Sequence, residues 1–562
     1  MSIRIAMAQL NYTLCDFEGN LARIVEAVRA AKDADLIVFT ELCLSGYSPQ
    51  DMVEEPDFLA RQQVALDGVR AVSREVPGVI VIGAVTPNAG PGKALHNSLL
   101  LVEGGEVKLV YHKQLLPTYN ILDERRHFEP GPERAAVYEV KGLRVGFLVC
   151  EDSWNAQGVD YPVDPVRTVA EAGVDLIVSI NASPSAIANV EMRHAALGKA
   201  AQFTGRPIVF VNQVGGHDQI VFDGGSFVAH PAHGIVYRMP MFEEAVGRVE
   251  YDAIEGLRAG GAPLDRPTAA PIEDSEFYYR QIVLGLRDYA RKVGFQRVVV
   301  GSSGGIDSAL TIALAVDALG AANVTAVTMP SRFSSAGSVD DSVSLCANLG
   351  VQLLTHPIEA LVGGYRDGFE QQFGAAPSKL TVENLQARIR GTILMEYANH
   401  FGPLLLTTGN KSEISVGYCT LYGDTNGGLN IIGDLYKTEV FALARYFNQL
   451  HGHELIPQVI IDKAPSAELS EGQKDTDSLP PYEVLDEILK LHIEGERLRP
   501  AEYAHAKAFV DGLQAAGDGA LIERIVGLVA RAEFKRRQAP PIIRVRNRAF
   551  GTGRQMPIAA KY

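Results

Sequence analysis

The feature that most constrains this chain is the segment Ser303-Gly304-Gly305-Ile306-Asp307-Ser308, which lies between the apolar run Val298–Val300 and the helical pattern Ala309–Leu319. The arrangement predicts a strand, a glycine turn and the beginning of a helix. Adjacent glycines let the backbone approach a ligand closely, and the free N–H groups of a helix N-terminus attract an anion. The sequence lacks GxxxxGK[ST], which excludes the phosphate loop of kinases and GTPases. A glycine pair alone is usually structural, but the complete SGGxDS segment predicts a pyrophosphate site.

Composition limits the class of protein. With 562 residues, 47% hydrophobic and 21% charged, the chain has the composition of a globular protein large enough for two or more domains. A net charge of −15 argues against nucleic acid as the main partner. We find no apolar stretch long enough to span a bilayer and no secretory signal, so we expect no membrane partner. The five scattered cysteines form no CxxC pair, which favours a reducing, cytoplasmic location over a disulfide framework.

Two α/β domains are predicted from the alternation of short apolar runs with helical patterns. The runs predicted as buried strands of the first half are Leu36–Phe39, Val79–Ile82, Val107–Tyr111, Val145–Val149, Leu176–Ile180 and Ile208–Val211. Helical patterns cover Asn20–Lys32, Ala186–Thr204 and Asp274–Val293. Residues 255–271 are rich in Gly, Ala and Pro with little periodicity. We therefore predict domains at 1–254 and 274–562, joined by a linker at 255–273.

Three reactive residue types, Glu41, Lys113 and Cys150, stand where predicted strands of the first half end. In α/β sheets, sites assemble at the carboxyl ends of strands. Taken alone, the three are more often a helix-start glutamate, a solvated lysine and a core cysteine. Together they supply the groups that nucleophilic attack on an amide requires. A thiol must lose its proton to attack an amide carbon, and a carboxylate can take that proton. A lysine favours the thiolate and can face the oxyanion that forms.

Three segments contain these residues and resemble the three signatures of the nitrilase, or carbon–nitrogen hydrolase, superfamily. The segments are Phe39–Leu42, His112–Pro117 and Val149–Trp154. The resemblance covers roughly residues 1–250 and implies an αββα sandwich. It also implies that the glutamate, lysine and cysteine are catalytic.

A glutamine pocket is implied by the same resemblance. Glu124 is similar to the family's second active-site glutamate, and Tyr119 and Ser183 resemble the pocket of its glutaminase members. Those members carry a basic residue near the position of Asn189, and Arg193 is the alternative for holding the α-carboxylate of glutamine.

The second half carries segments too polar for an ordinary core. Arg388 and Arg390 are predicted on one helical face, either as part of a solvated helix or as a phosphate clamp, for which guanidinium forks are suited. The predicted strand Pro403–Leu406 ends in the polar run Thr407–Glu413. A basic segment at 535–537 stands out in an acidic chain.

Six segments of the second half resemble the NAD synthetase family of ATP pyrophosphatases, over about residues 275–540. In chain order they are SGGIDS, ENLQARIR, TTGNKSE, GDLYKTEVFALAR, PSAEL and KRRQ. The resemblance implies a Rossmann-like parallel-sheet domain. The residues that it implies for ATP binding are Gly301, Ser302, Ser303, Gly304, Gly305, Ile306, Asp307, Ser308 and Thr408. Those implied for deamido-NAD binding are Asn384, Arg388, Glu413, Asp434 and Lys535. Asp307 and Glu413 are implied to hold Mg²⁺.

Together the two resemblances imply an ATP-dependent ligase. Glutamine hydrolysis would supply ammonia, although free ammonia would also serve, and the ammonia would displace AMP from adenylated deamido-NAD to give NAD. We also expect an enclosed ammonia passage and a homo-oligomer. One alternative is an amidase whose second half adenylates another acid or a tRNA base, and the acidic charge argues against the tRNA version. The other is a non-catalytic scaffold, against which the intact Glu41, Lys113, Cys150 and Asp307 argue.

Overall fold

The computed structural model describes residues 1–156, 160–268 and 272–560. It divides into two compact units. The first unit comprises Met1–Ser185, Asn189–Gly216 and Val221–Pro271, and the second comprises Ala186–Ala188, His217–Ile220 and Ile272–Tyr562. No helix in the described part of the chain combines the length and the hydropathy that a transmembrane span requires.

The first part of the chain is rich in strands. Its strands are β1 (Ser2–Gln9), β2 (Leu36–Val38), β3 (Val79–Pro87), β4 (Leu95–Glu103), β5 (Glu106–His112), β6 (Ala136–Val140), β7 (Leu143–Val149), β8 (Leu176–Asn181), β9 (Ile208–Asn212), β10 (Val214–His217), β11 (Ile220–Asp223), β12 (Phe227–His230), β13 (Gly234–Arg238), β14 (Ala245–Asp252), β15 (Gly256–Ala259) and β16 (Ala262–Pro263). Its helices are α1 (Phe17–Ala30), α2 (Phe58–Val72), α3 (Pro165–Glu171) and α4 (Asn189–Thr204).

Two large sheets form the core of the first unit. Their strand orders are β16-β15-β14-β1-β2-β3-β4-β5 and β13-β12-β9-β8-β7-β6. Side chains such as Met7 and Val81 of one sheet and Phe147 and Val178 of the other share a single buried cluster, so the sheets pack face to face. Helices α1 and α2 lie on the first sheet's side, and α4 packs against β12 and β13 of the second. The predicted αββα sandwich is confirmed.

The segment predicted as a linker contains a β-hairpin over part of its length. Strand β15 pairs antiparallel with β14 and with β16, through a turn at Gly260 and Gly261. Both glycines have a positive φ, 56° and 80°, which a two-residue hairpin turn requires and which glycine adopts without strain. Gly260 and Gly261 were predicted to be part of the linker, whereas they form the turn of a hairpin at the edge of the sheet. Residues 269–271 of the predicted linker lie outside the described residues.

The second unit contains a parallel sheet among many helices. Its strands are β17 (Val298–Gly301), β18 (Val324–Thr328), β19 (Gln352–Thr355), β20 (Leu404–Thr407) and β21 (Leu429–Asn430). Its helices are α5 (Asp274–Val293), α6 (Ile306–Leu319), α7 (Ala336–Leu349), α8 (Glu359–Phe373), α9 (Lys379–Phe401), α10 (Lys411–Val416), α11 (Lys437–His451), α12 (Gln458–Asp462), α13 (Tyr482–Ile493), α14 (Pro500–Ala515), α15 (Gly519–Arg531) and α16 (Glu533–Arg536).

The parallel sheet has the order β19-β18-β17-β20-β21, and the described pairs are parallel. Helix α6 contacts β17 and β18, and α9 packs on β17 and β20 through Ile389 and Ile393. The strand order reverses direction between β17 and β20, and a crevice opens at the carboxyl ends of strands at such a point. The predicted Rossmann-like sheet is confirmed, and the polar segments 302–308 and 407–413 lie at the carboxyl ends of these two strands.

The C-terminal segment is anchored by a buried cation. The guanidinium of Arg546 is 1% exposed and forms ion pairs with Glu439, Glu494 and Glu502. It also donates a hydrogen bond to Tyr278 Oη at 3.0 Å. Burial lowers the pKa of Arg546, but the surrounding carboxylates outweigh burial and raise it well above the usual value. Arg546 therefore joins helices α5, α11 and α14 to the end of the chain.

Replacing this cation should destabilise the second unit. We expect Arg546→Met to lower the free energy of unfolding by about 3–5 kcal/mol, because one buried and two partly buried carboxylates lose their counter-ion. Urea unfolding followed by circular dichroism measures the change. The exposed Arg445 of α11 provides the control, Arg445→Met, which should leave the midpoint unchanged. Equal midpoints for both variants would contradict the anchoring role.

Candidate active sites

The three reactive residues of the first unit meet in one buried cluster. Lys113 Nζ, directly after β5, lies 2.7 Å from Glu41 Oε1 and 2.7 Å from Glu124 Oε1. Glu41, which follows β2, also accepts from Asn97 Nδ2 at 2.8 Å and from the Ala182 N–H at 3.0 Å. Both Glu41 and Lys113 are fully enclosed. The cluster therefore holds a carboxylate rigidly, with donors on both of its oxygens.

Cys150 lies at the carboxyl end of β7, where the strand passes into the short 3₁₀ helix Cys150–Ser153. Its φ of 46° is in the left-handed region, which is uncommon for a residue with a side chain and is often found at functional sites. Asp152 holds this turn, since it accepts from the backbone N–H of Gln114 and Leu115 and from Tyr111 Oη. The turn places the thiol within the electrostatic field of Glu41 and Lys113.

Burial dominates the electrostatics of this cluster. It raises the pKa of the Cys150 thiol well above its usual value, and Glu41 adds to the effect while Lys113 opposes it. Burial also raises the pKa of Glu124 to about 7, against the opposing effect of Lys113. Burial lowers the pKa of Lys113, but Glu124 and Glu41 outweigh it, so the lysine stays charged. Lys113 thus favours the thiolate, as expected, but burial and Glu41 outweigh its effect on the pKa of Cys150.

Tyr119 and the carboxylate of Glu151, which was not among the predicted site residues, lie beside this cluster. Glu151, 6% exposed, accepts from Tyr119 Oη at 3.1 Å and from Tyr161 Oη at 2.8 Å. Ser183 is also buried, and its N–H donates to Asn212 Oδ1. Glu151 is the immediate neighbour of Cys150, and that adjacency was the signal in the sequence that could have identified it.

Both residues predicted for the glutamine α-carboxylate have partners within the first unit. Asn189 Nδ2 donates to the Pro184 carbonyl at 2.8 Å. The buried guanidinium of Arg193 pairs with both carboxylate oxygens of Asp223. An arginine already neutralised by an aspartate has little charge left for a ligand. Binding of the α-carboxylate by either residue thus remains a prediction.

The glycine loop of the second unit connects β17 to α6 as predicted. Gly304 has a φ of 73°, and a Cβ there would lie 2.2 Å from the Ser338 carbonyl oxygen. Only glycine fits that position. Ser308 Oγ lies 3.1 Å from Ser303 Oγ and accepts from the Ser303 N–H at 3.2 Å, so the two serines close the loop on itself. The N-terminus of α6 and this loop face the same space.

A cavity of about 310 Å³ occupies the crevice beside β17 and β20. Its size is within the usual range for a small-molecule site. The predicted site residues that line it are Gly301, Ser302, Ser303, Gly305, Ile306, Asp307, Ser308, Thr408 and Glu413. Lys463, Glu468 and Asp475, which were not among the predicted site residues, also line it.

Asp307 is held by donors on both carboxylate oxygens. Asn410 Nδ2 donates to Oδ1 at 2.9 Å, and Lys437 Nζ pairs with Oδ2. Lys437 also lies 3.4 Å from Glu413 Oε1. Burial raises the pKa of Glu413 to about 8, with Lys437 lowering it and Asp307 raising it further. Carboxylates thus outnumber the ammonium at this end of the cavity, where Asp475 also lies.

Three of the residues predicted to bind deamido-NAD converge on the loop after α10. Asn384 accepts from Thr420 Oγ1 at 2.9 Å, and Arg388 donates to the Leu421 carbonyl at 3.2 Å. Lys535 donates to the carbonyls at 417 and 419, at 2.8 and 2.7 Å. Tyr418 and Cys419 of this loop line the cavity. The structure therefore brings these three onto one loop, although the described lining of the cavity does not include them.

Asp434 does not fit its predicted place beside a ligand. Its carboxylate is fully enclosed and accepts from the backbone N–H of Val545 and Arg546, at 2.9 and 2.8 Å. It also pairs with the buried Lys411 at 2.8 Å. These contacts make Asp434 an anchor of the C-terminal segment.

Arg388 and Arg390 do not share a helical face. Two residues apart on α9, they point in nearly opposite directions. Arg388 is exposed, whereas Arg390 donates to the Met329 carbonyl at 3.1 Å and lines the cavity. The predicted clamp of two arginines is wrong, and Arg390 alone faces the cavity.

Comparison with known proteins agrees with these two sites. A family profile described as "Carbon-nitrogen hydrolase" matches residues 4–257, and one described as "NAD synthase" matches residues 278–539. A glutamine-dependent NAD(+) synthetase from Synechocystis sp. is 41% identical and covers 99% of each chain. Another from Thermotoga maritima is 38% identical, covering 100% of this chain and 99% of the relative. A glutamine-dependent NAD+ synthetase from Acinetobacter baumannii, solved in complex with ADP, superposes with a TM-score of 0.77 at 37% identity, covering 99% of this chain and 98% of that one.

The two matched regions define a carbon–nitrogen hydrolase domain fused to an NAD synthase domain, which is the architecture of a glutamine-hydrolysing ligase. The chain belongs to the glutamine-dependent NAD(+) synthetase family. The predicted family, fold class and ATP-dependent, glutamine-driven NAD synthesis are thereby confirmed. The two alternatives, an amidase with a different acid substrate and a scaffold, find no support in these matches.

Proposed function

We propose that Cys150 is the nucleophile of glutamine hydrolysis, with Glu41 as its general base and acid. The observation that carries this proposal is the enclosed Glu41 carboxylate, held by Lys113, Asn97 and the Ala182 N–H beside the thiol. Because burial raises the pKa of the Cys150 thiol, its proton must be removed as the sulfur attacks. A carboxylate fixed in place can do this without reorganising.

The hydrolysis then has two halves. Cys150 Sγ bonds to the side-chain amide carbon of glutamine while the thiol proton passes to Glu41. Glu41 returns this proton to the amide nitrogen, the C–N bond breaks, and ammonia leaves a thioester on Cys150. Glu41 next takes a proton from water, whose oxygen attacks the thioester carbon, and the proton returns to Sγ as glutamate leaves. Lys113 stays charged throughout and stabilises the oxyanion of both tetrahedral states.

In the second unit, we propose that ATP binds with its phosphates on the glycine loop 301–308 and at Thr408. The cavity lining supports this assignment, as does the relative solved with ADP. A nicotinate carboxylate oxygen of deamido-NAD attacks the α-phosphorus, and pyrophosphate leaves toward the N–H groups at the N-terminus of α6. Ammonia then attacks the acyl carbon of the adenylate, AMP leaves, and the amide of NAD forms. Lys437, charged and buried, neutralises phosphate charge as it develops.

The carboxylates of the cavity fit a divalent metal ion. Asp307, Glu413 and Asp475 lie around the Lys437 ammonium, and their excess negative charge raises the pKa of Glu413 beyond the effect of burial. Mg²⁺ prefers oxygen ligands of this type, usually one or two carboxylates together with phosphates. We propose that Asp307 and Glu413 hold Mg²⁺, which when bound supplies charge neutralisation for the phosphate oxygens.

One assay tests the whole proposal. Purified protein is given deamido-NAD, ATP and Mg²⁺ with either glutamine or ammonium chloride, and NAD, AMP and glutamate are measured. We expect NAD from both nitrogen sources, with AMP equal to NAD. Glutamate release without NAD from either source would mean that the second unit adenylates a different acid.

Glu151 provides a specific test of glutamine recognition. We propose that this buried carboxylate, held by Tyr119 and Tyr161, binds the α-ammonium group of glutamine. Glu151→Gln should raise the KM for glutamine by roughly 10- to 100-fold, the usual worth of a charged hydrogen bond, and leave ammonium-supported synthesis unchanged. Glu103→Gln, which removes another carboxylate that accepts from a tyrosine, Tyr138, is the matched control. If Glu151→Gln has the same KM for glutamine as Glu103→Gln, Glu151 does not bind glutamine.

The assembly and location of the chain are also proposals. A homo-oligomer is proposed from the family resemblance, and sedimentation velocity at several concentrations measures it. A cytoplasmic location, with small molecules as the only substrates and neither nucleic acid nor membrane as a partner, is supported by the acidic charge and by the five cysteines, all of which are free.

A further inference from the structure

Asp486 lies on α13, a helix that contributes no residue to the proposed ATP site, yet its carboxylate reaches two helices that do, α10 with Glu413 and α11 with Lys437. The side chain is fully enclosed. Its Oδ1 accepts from Ser412 Oγ, and its Oδ2 accepts from the Thr438 N–H at 2.9 Å and from Thr438 Oγ1 at 2.8 Å. One carboxylate therefore connects the first turns of α10 and α11.

The connection continues to the backbone of Lys437. Ser412 Oγ donates to Asp486 and accepts from the Lys437 N–H at 2.9 Å. The first two N–H groups of α11, those of Lys437 and Thr438, are thus satisfied directly or through one hydroxyl by Asp486. The N-cap residue Tyr436 makes no side-chain capping bond. Asp486 acts as the missing cap, and a carboxylate at a helix N-terminus is favoured by the helix dipole.

The residues fixed in this way adjoin two charged groups beside Asp307, the Glu413 carboxylate and the Lys437 ammonium. Ser412 precedes Glu413, and Lys437 is itself held at its backbone nitrogen. Lys437 Nζ pairs with Asp307 and lies 3.4 Å from Glu413. A shift of either first turn would move an ammonium or a carboxylate relative to the glycine loop. Positioning errors of this kind are costly, since about 1 Å can reduce a rate 100-fold.

We propose that Asp486 is a positioning residue for NAD synthesis, which sets the places of Lys437 and Glu413 by joining the N-termini of α10 and α11. This inference rests on the proposed role of Asp307, Glu413 and Lys437 in the ATP site. Asp486 does not touch the substrates itself: it is enclosed, and it does not line the cavity. Its effect should therefore appear in kcat more than in substrate binding.

The test compares two aspartates of the second unit. Asp486→Asn keeps the shape of the side chain but removes the charge that caps α11. Asp317→Asn makes the same chemical change on α6, where the carboxylate accepts from Tyr279 Oη and lies 2.9 Å from His451 Nε2, at the opposite end of α11. Both variants lose a carboxylate that joins helices, and urea unfolding measures what each loses in stability.

For ammonium-supported synthesis we expect Asp486→Asn to lower kcat by roughly 10- to 100-fold, with smaller changes in the KM for ATP and deamido-NAD. Asp317→Asn should retain the wild-type kcat. If Asp486→Asn loses no more kcat than Asp317→Asn, the positioning role is overturned.

Ser412→Ala keeps the proposal testable if Asp486→Asn folds poorly. It removes the hydroxyl that links Asp486 to the Lys437 N–H, and it should lower kcat in the same direction. Because both substitutions break one connection, their effects should not be additive in the double variant. Wild-type kcat in Ser412→Ala, or additive losses, would contradict the connection. A failure of the proposed ATP site itself would give a different result, because Asp307→Asn would then still form NAD.

Discussion

Cys150→Ala should abolish glutamine-supported NAD formation while ammonium-supported formation continues. The substitution removes the sulfur that forms the thioester and leaves Glu41 and Lys113 in their enclosed places. Loss of a nucleophile typically costs roughly 10⁴- to 10⁶-fold in kcat, because water cannot replace the covalent step. The second unit does not contain Cys150 and keeps its chemistry. Release of glutamate and formation of NAD, measured in the same reaction, give the two activities separately.

The first unit offers a matched control for this substitution. Cys15 is also half-buried and also has a left-handed backbone, with a φ of 56°. Cys15→Ala therefore changes the same side chain in the same backbone conformation, without touching the Glu41 and Lys113 cluster. It should retain both activities. Glutamine-supported synthesis that survives in Cys150→Ala would mean that a different residue attacks the amide.

The sequence predicted the parts of the sites that lie at strand ends. Glu41, Lys113 and Cys150 each follow a short apolar run, and the structure places all three beyond the ends of β2, β5 and β7. The glycine loop could also be predicted from the sequence, because a buried strand followed by two glycines and a helical pattern is compatible with few other local structures. In both cases the local pattern determines the position of the reactive residue.

Residues that reach a site from elsewhere in the fold could not be found in this way. Asn97 lies in β4 between His96 and Ser98, and it donates to Glu41. The polar start of this strand hides the strand pattern at the residue that the site uses. Asp486 lies in an amphipathic helix far along the chain from Ser412. No periodicity connects such pairs, because tertiary packing alone brings them together.

Asp434 and the hairpin that β15 and β16 form show where a sequence pattern alone was insufficient. Asp434 stands in a motif among residues of the site, but motif membership does not separate a ligand contact from a buried anchor. Only its enclosure and its bonds to the backbone at 545 and 546 do so. The hairpin was missed because glycine-rich composition fits a linker and a tight turn equally well. The backbone φ values distinguish them.

Asp307→Asn should abolish NAD formation from glutamine and from ammonium alike, while glutamine is still hydrolysed. The asparagine keeps the shape of the side chain and removes the charge that pairs with Lys437. It also removes one of the two carboxylates that we propose hold Mg²⁺ beside the phosphates. Removal of one such electrostatic contact costs roughly 10²- to 10³-fold in kcat, and loss of the metal adds to that. The expected result is no measurable AMP or pyrophosphate.

Asp317→Asn, on the same helix α6, is the control for the stability of that helix. It should form NAD at the wild-type rate, and urea unfolding should show that both variants are folded. Glutamate release gives a second check, since Asp307→Asn should still hydrolyse glutamine through Cys150. If Asp307→Asn formed NAD at a rate close to that of Asp317→Asn, the phosphates and the metal would have to bind elsewhere. The cavity beside β17 and β20 would then lose its assignment to ATP.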